Sequence, residues 1–183
     1  MNISVSPLRG VFIVRSQTIS DERGSFERLF CDVELERLLQ GRVIRQINRS
    51  ISVQDAVIRG MHYQMQPHAE MKLIRCTKGR AWDVALDLRK GSATLGQWFA
   101  QELTPENSEM MVIPEGVAHG FQSLEPDTHL LYLHTAYYQK CSEAAVAWND
   151  PLFSINWPKA PSEISKRDQA HPFLKESFQG VVI

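Results

Sequence analysis

After residue 42 the hydrophobic pattern of this chain takes a period of two. In residues 43–53, RVIRQINRSIS, Val43, Arg45, Ile47 and Arg49 fall on one side and Ile44, Gln46, Asn48 and Ser50 on the other. Successive side chains of a strand point to opposite faces, so this alternation predicts a strand. Polar Gln46 and Asn48 either line a pocket or make the wet face of an edge strand. Short β-branched or alternating runs recur at 10–16, 72–77, 80–88, 96–103, 109–113, 119–124 and 128–137, with turn residues between them. Many short strands of this kind predict an all-β, antiparallel sandwich or barrel. Lys78-Gly79 predicts a hairpin between two of them. In the second, Trp82, Val84, Leu86 and Leu88 alternate with Ala81, Asp83, Ala85 and Asp87, which predicts one buried apolar face and one polar face. One helix is expected in the first half, over 32–39, with Asp32 as N-cap and Gly41 as the stop.

At 183 residues the chain reads as a single domain, 1–183, long enough for a sizeable core. A formal net charge of -1 leaves no basic footprint for nucleic acid. No stretch is long and apolar enough to span a membrane, and MNISVSPLRG lacks the apolar run of a signal peptide. Cys31, Cys76 and Cys141 are odd in number and widely spaced, so they read as reduced thiols and point to the cytoplasm.

The chemistry concentrates between Arg59 and Lys72, RGMHYQMQPHAEMK. A histidine exchanges protons near neutral pH, a lysine ammonium stabilises a developing oxyanion, and an arginine fork suits a phosphate. Together they suggest proton transfer on a substrate with a phosphate handle; the plain alternative is a solvated surface. His119 heads a strand after the turn Pro114-Glu115-Gly116, and Tyr132 shares a strand face with Leu130 and His134. Tyr132 also reads as a core tyrosine, Tyr137 and Tyr138 as a packed strand end, and Glu143 as a solvated loop acid. Ser165-Lys166-Arg167-Asp168 fits an S-x-x-D cap, in which Asp168 would only close a helix start.

These residues sit in motifs that resemble the dTDP-4-dehydrorhamnose 3,5-epimerase family, over about residues 8–170. The motifs are D-x-R-G-x-F (Asp21 to Phe26), Q-x-N-x-S (Gln46 to Ser50), R-G-M-H-Y-Q (Arg59 to Gln64) and K-L-I-R (Lys72 to Arg75). They continue with D-V-A-L-D-L-R (Asp83 to Arg89), I-P-E-G-V-A-H-G-F (Ile113 to Phe121), L-Y-L-H-T-A-Y-Y (Leu131 to Tyr138) and W-N-D-P (Trp148 to Pro151). The resemblance implies a cupin-type antiparallel jelly roll with a few short helices. It implies epimerisation at carbon 3, carbon 5 or both of a nucleotide-linked 4-keto-6-deoxyhexose, in deoxysugar biosynthesis. It assigns His62 as the base, Asp168 as its partner, Lys72 as the enolate stabiliser and Tyr132 as the opposite-face acid. Arg23 and Arg59 would hold the diphosphate, and Gln46 and Asn48 the nucleotide. His119, Glu143 and Arg167 would contact substrate, and Tyr138 would stack on the base. No metal or other cofactor is implied. The partners implied are the nucleotide sugar and a second copy of the chain, a homodimer in which an N-terminal strand crosses over.

One position departs from the family. The motif D-x-R-G-x-F normally continues with x-E, and here Arg28 stands there with Glu27 one residue earlier. A one-residue shift on a strand turns a side chain to the other face, so weaker discrimination among dTDP, UDP and CDP is expected. Arg59 and His62 are an odd number of positions apart, so their sharing a site calls for a bulge at Gly60. Rival readings are a metal cupin using His62, Glu70 and His119, a one-carbon 3-epimerase or ketoisomerase, and a catalytically silent sugar-binding jelly roll.

Overall fold

The structure, a computed structural model, describes residues 1–183. In chain order the first strands are β1 (Asn2–Val5), β2 (Phe12–Arg15), β3 (Thr18–Asp21), β4 (Gly24–Glu27), β5 (Gln46–Ser52), β6 (Val57–Gln64) and β7 (Lys72–Lys78). They continue as β8 (Ala81–Asp87), β9 (Trp98–Leu103), β10 (Glu109–Ile113), β11 (Val117–Ser123), β12 (Thr128–His134), β13 (Glu143–Ala145) and β14 (Glu163–Ile164). Helix α1 (Glu36–Leu39) precedes β5, and α2 (Lys166–Gln169) follows β14. One sheet has the order β1-β2-β10-β7-β12-β5 and the facing sheet β13-β6-β11-β8-β9, with β14 added to β6. Pairing is antiparallel except at β14, and the strand order alternates distant parts of the chain, as in a jelly roll. No helix is long and apolar enough to cross a membrane.

Alternation along the central strands fills three layers. Ile74, Cys76, Met111, Ile113 and Leu130 of one sheet meet Ala81, Ala85, Val117 and Phe121 of the other. The opposite parity of the first sheet, Leu73, Met110, Val112 and Leu133, is covered by Leu35, Leu38 and Leu39. The outer face of the second sheet, Val84, Leu86 and Leu88, is covered by Phe153, with Trp157, Leu174 and Phe178 partly buried against it. Burying a large apolar side chain contributes about 1.5–3 kcal/mol, so each covering segment holds the strands it lies on.

Three sequence expectations change here. The strand over 80–88 has no wet face, because the C-terminal segment covers one side and the other faces the facing sheet. Asp83 and Asp87 are therefore fully buried, and each has found partners: His119 for Asp83, and Arg89, Ser92 and Thr94 for Asp87. Strands β7 and β8 do not form a hairpin; they lie in different sheets. The chain instead turns a corner between sheets, where Arg80 N–H donates to Thr128 Oγ1 at 3.3 Å. The helix expected over 32–39 shrinks to α1, a single turn without a side-chain cap. Asp32 accepts from its neighbour Val33 N–H instead, and Glu34 pairs with Arg28 and the terminal amine, which holds residues 32–35 as a turn. Gln40 (φ 49°) and Gly41 (φ 81°) end the helix in left-handed conformations.

Candidate functional site

Polar side chains interrupt the inner layer at one end. On the first sheet, Lys72 has the parity of Ile74 and Cys76, and Tyr132 and His134 that of Leu130. On the second, His119 has the parity of Val117 and Phe121, and Asp83 that of Ala81 and Ala85. Where these residues face one another the sheets open into a cleft of about 750 Å³. Asn48, Arg59, His62, Lys72, His119, Tyr132, Tyr138, Glu143, Arg167 and Asp168 all line it, so ten of the twelve expected site residues converge.

The bulge at Gly60 is what brings Arg59 and His62 to one site. His119 pairs with His62 and Phe121 with Arg59, so three steps on β6 oppose two on β11. Gly60 sits at φ 142°, and a Cβ there would lie 2.5 Å from Gly120 Cα. Only glycine fits that close approach of two backbones.

His62 Nε2 and Asp168 Oδ1 are 2.8 Å apart, and the Gly60 N–H donates to the other carboxylate oxygen at 3.2 Å. With Nε2–H donating to Asp168, the lone pair of the neutral ring is on Nδ1. Burial would raise the Asp168 carboxyl, but His62, the Gly60 amide and Arg167 outweigh it and hold the group at about 2. The Ser165 hydroxyl accepts from Asp168 N–H at 3.1 Å, so the capping pattern is real as well. The cap uses the main chain of Asp168 and leaves its carboxylate for His62.

Lys72 is buried, and its Nζ lies 3.4 Å from Glu70 Oε1 while donating to the His62 carbonyl at 3.1 Å. Burial pulls the Lys72 ammonium below the ordinary lysine value, against the attraction of Glu70. Glu70 also takes His134 Nδ1 at 2.9 Å, and the His134 ring stacks on Tyr132 at 6.0 Å. Tyr132 has its hydroxyl 3.3 Å from Ser50 Oγ and its ring edge-on to His119 at 5.7 Å. Burial pushes its phenol well above the ordinary tyrosine value, a shift that the Ser50 hydrogen bond only partly offsets, so it keeps its proton at neutral pH. Tyr132 belongs to the first sheet and His62 to the second, which puts them on opposite walls of the cleft.

At the rim, Tyr138 O–H donates to Glu143, and Arg167 donates to Glu143 at 2.9 Å. Gln46 does not line the cleft; its side chain accepts from the Tyr138 N–H at 3.1 Å and donates to Asn48, so it holds the rim. Arg23 is the other outlier. It lies at the tip of the β3–β4 hairpin, bonded to Asp21, and lines no part of this cleft. Glu27 is held by Arg75 at 2.6 Å and Arg28 by Glu34 at 2.5 Å, so neither faces the cleft. The metal trio His62, Glu70 and His119 does not converge. Each has its own partner, respectively Asp168, His134 with Lys72, and Asp83.

Asp83, Glu70 as a bridge, His134 and Ser50 are the residues that sequence reasoning did not place in the site. Asp83 carried a signal: it is a lone acid on a strand parity otherwise made of alanines until Asp87. Its Oδ1 is 2.6 Å from His119 Nε2.

The two most depressed carboxylates give a prediction. Asp168 and Asp87 sit at about 2, below the ordinary 3.8. A carboxyl depressed in the folded state adds stability above its unfolded value and loses it as pH falls through its folded value. With allowance for solvent screening this amounts to about 1–2 kcal/mol each. Urea midpoints should fall from pH 4 to pH 2; a flat profile across that window would contradict both assignments.

The family model for dTDP-4-dehydrorhamnose 3,5-epimerase matches residues 5–176. The chain is 40% identical over 170 residues to that epimerase from Salmonella typhimurium, covering 92% of each, and 38% identical over 177 residues to that of Sinorhizobium fredii, covering 94% of this chain and 91% of the relative. Among solved structures, a Bacillus anthracis dTDP-4-dehydrorhamnose 3,5-epimerase with TDP and PPi bound superposes with a TM-score of 0.91 at 33% identity, covering 94% of this chain and 99% of that one. A Legionella pneumophila dTDP-6-deoxy-D-glucose-3,5-epimerase in complex with dTDP-4-keto-L-rhamnose gives 0.89 at 36% identity, covering 94% and 92%. A match over nearly the whole chain, in both sequence and fold, makes it a member of the dTDP-4-dehydrorhamnose 3,5-epimerase family.

Proposed function

We propose that this chain inverts carbon 3 and carbon 5 of a dTDP-linked 4-keto-6-deoxyhexose, in the cytoplasm, as a step of rhamnose-type deoxysugar synthesis. The ketone at carbon 4 acidifies the hydrogens on both neighbours. His62 removes each proton, with Asp168 fixing the ring and stabilising the imidazolium. The electron pair moves onto the carbonyl oxygen, and the Lys72 ammonium stabilises that enolate. Tyr132 delivers a proton to the opposite face of the carbon. The ring then carries the abstracted proton and Tyr132 is a phenolate; exchange with solvent resets both. The observation that supports this reading most is the placement of His62 and Tyr132 on opposite walls of one cleft. Arg59, Asn48, His119, Glu143 and Arg167 lie along the same cleft as contacts for the sugar nucleotide, with Tyr138 at the rim for the base. Stacking on an aromatic ring is worth roughly 1–3 kcal/mol per base. Incubation with the 4-keto sugar nucleotide in deuterated water tests it. Deuterium should enter at carbons 3 and 5; entry at carbon 3 alone would make it a 3-epimerase, and no entry would leave a binding protein.

Arg23 fits this reading only through a second copy of the chain. Its hairpin stands alone as a two-stranded sheet, with cross-strand neighbours Ile19 and Phe26 62% and 69% exposed. A lone hairpin is marginal in water, and an exposed apolar pair calls for a covering surface. We propose a homodimer in which this hairpin lies on the partner and carries Arg23 to the partner's diphosphate site. Sedimentation at micromolar concentration should give a dimer; particles of 20.9 kDa alone would remove Arg23 from the site.

A further inference from the structure

The His62–Asp168 pair has a histidine neighbour that the epimerisation does not use. His171 comes three residues after Asp168, and its Nε2 lies 4.0 Å from Asp168 Oδ1. That nitrogen is buried and has no hydrogen-bond partner. One ligand atom each from His62, Asp168 and His171 fall within 4.8 Å of one another, the one such cluster of three in the molecule. Zinc binds histidine nitrogen and carboxylate oxygen at about 2.0–2.2 Å, which puts tetrahedral ligand atoms roughly 3.3 Å apart. The cluster needs only small side-chain rotations to reach that spacing. Two imidazoles and one carboxylate, with the fourth position open, suit a divalent transition metal.

We propose that His62, Asp168 and His171 form a site for a divalent transition metal, zinc foremost, and that metal bound there shuts off epimerisation. The second clause rests on His62 being the base. A metal takes the lone pair of a neutral imidazole. In the metal-free pair the proton is on Nε2 and the lone pair on Nδ1. With the metal on Nε2 the ring holds its proton on Nδ1, and no lone pair remains to accept a proton from carbon. Substrate bonds do not change and no electron is transferred. His171 borders the neighbouring groove with Trp148, Asn149 and Phe173 and is absent from the cleft lining, so the metal completes a site that spans the two. Arg167 works against the cation, with Nη2 3.3 Å from His62 Nε2 and Nε 3.4 Å from Asp168 Oδ1. Its side chain is exposed and also bonded to Glu143, so it has room to turn aside. That competition sets the expected affinity in the micromolar range, not the nanomolar range of a resident metal.

The test uses zinc sulfate and the full-length protein. Calorimetry should find one zinc per chain, turnover should fall in parallel, and EDTA should restore it. His171→Ala should keep the zinc-free turnover. An outer-shell partner is worth roughly 10–100-fold in metal affinity, so losing this ligand should weaken both binding and inhibition at least that much. His171→Asn repeats the test with a polar side chain in case the alanine variant melts early. Cobalt(II) gives a spectroscopic check, since its visible bands with the wild type should be lost in both variants. Equal zinc affinity, or equal inhibition, in the wild type and both variants overturns the proposal. Turnover of His62→Asn without zinc is a separate measurement: if it is normal the base assignment fails, whereas loss of zinc binding in the His171 variants still establishes the site.

Discussion

His62→Asn should lower epimerisation by about 100- to 10,000-fold, the usual worth of a general base, and more if the base and its partner act as a unit. Asparagine keeps a side-chain N–H that can donate to Asp168, so the carboxylate is not abandoned in the interior. The Gly60 amide and Arg167 also stay in place as its partners. The variant should therefore fold and bind nucleotide diphosphate while losing deuterium incorporation at both carbons. Steady-state turnover, nucleotide affinity and a melting curve on the same preparation check this together. Near-normal turnover would sink the assignment of the base, and with it the reading of Asp168 as a group that serves His62.

Tyr132→Phe should separate two activities that one substrate reports. Net inversion needs a proton from the wall opposite His62, whereas exchange needs only removal and return by the same base. We expect inversion to fall by roughly 100-fold or more and deuterium uptake by less than tenfold. Phenylalanine preserves the ring that packs edge-on to His119 and stacks on His134. It removes only the hydroxyl, leaving Ser50 Oγ to find another partner near the cleft. Parallel loss of both activities would mean that the hydroxyl positions the sugar and does not donate the proton.

Eight of the fourteen strands fall on runs that were legible along the chain, because those runs follow local rules; β6, which carries Arg59 and His62, was not among them. The runs at 43–53, 109–113 and 128–137 all became strands, and the inner face of β12 carries Leu130, Tyr132 and His134 as its spacing predicts. The proposed catalytic set was legible only through the family motifs, since histidine, lysine and tyrosine in a polar segment have ordinary surface readings. The same holds for Asp168, whose local cap reading the structure bears out while its carboxylate also bonds His62. Its amide obeys a rule of spacing, and its carboxylate obeys a contact with a residue 106 positions away.

What the chain order alone determines here is parity: which residues of a strand share a face. Which face is wet, and which strands are neighbours, is decided by packing between distant segments. Lys78-Gly79 shows the limit on neighbours, because a turn signal does not say whether the next strand joins the same sheet or the facing one. Asp83 shows the limit on wet faces, because its polarity suggests solvent until the C-terminal segment and the facing sheet enclose β8 and make it a partner for His119. Gly60 joins the two levels. A glycine at an odd spacing hints at a bulge, but only the 2.5 Å approach toward Gly120 explains why no side chain can stand there, and only the shifted register turns Arg59 and His62 into one site.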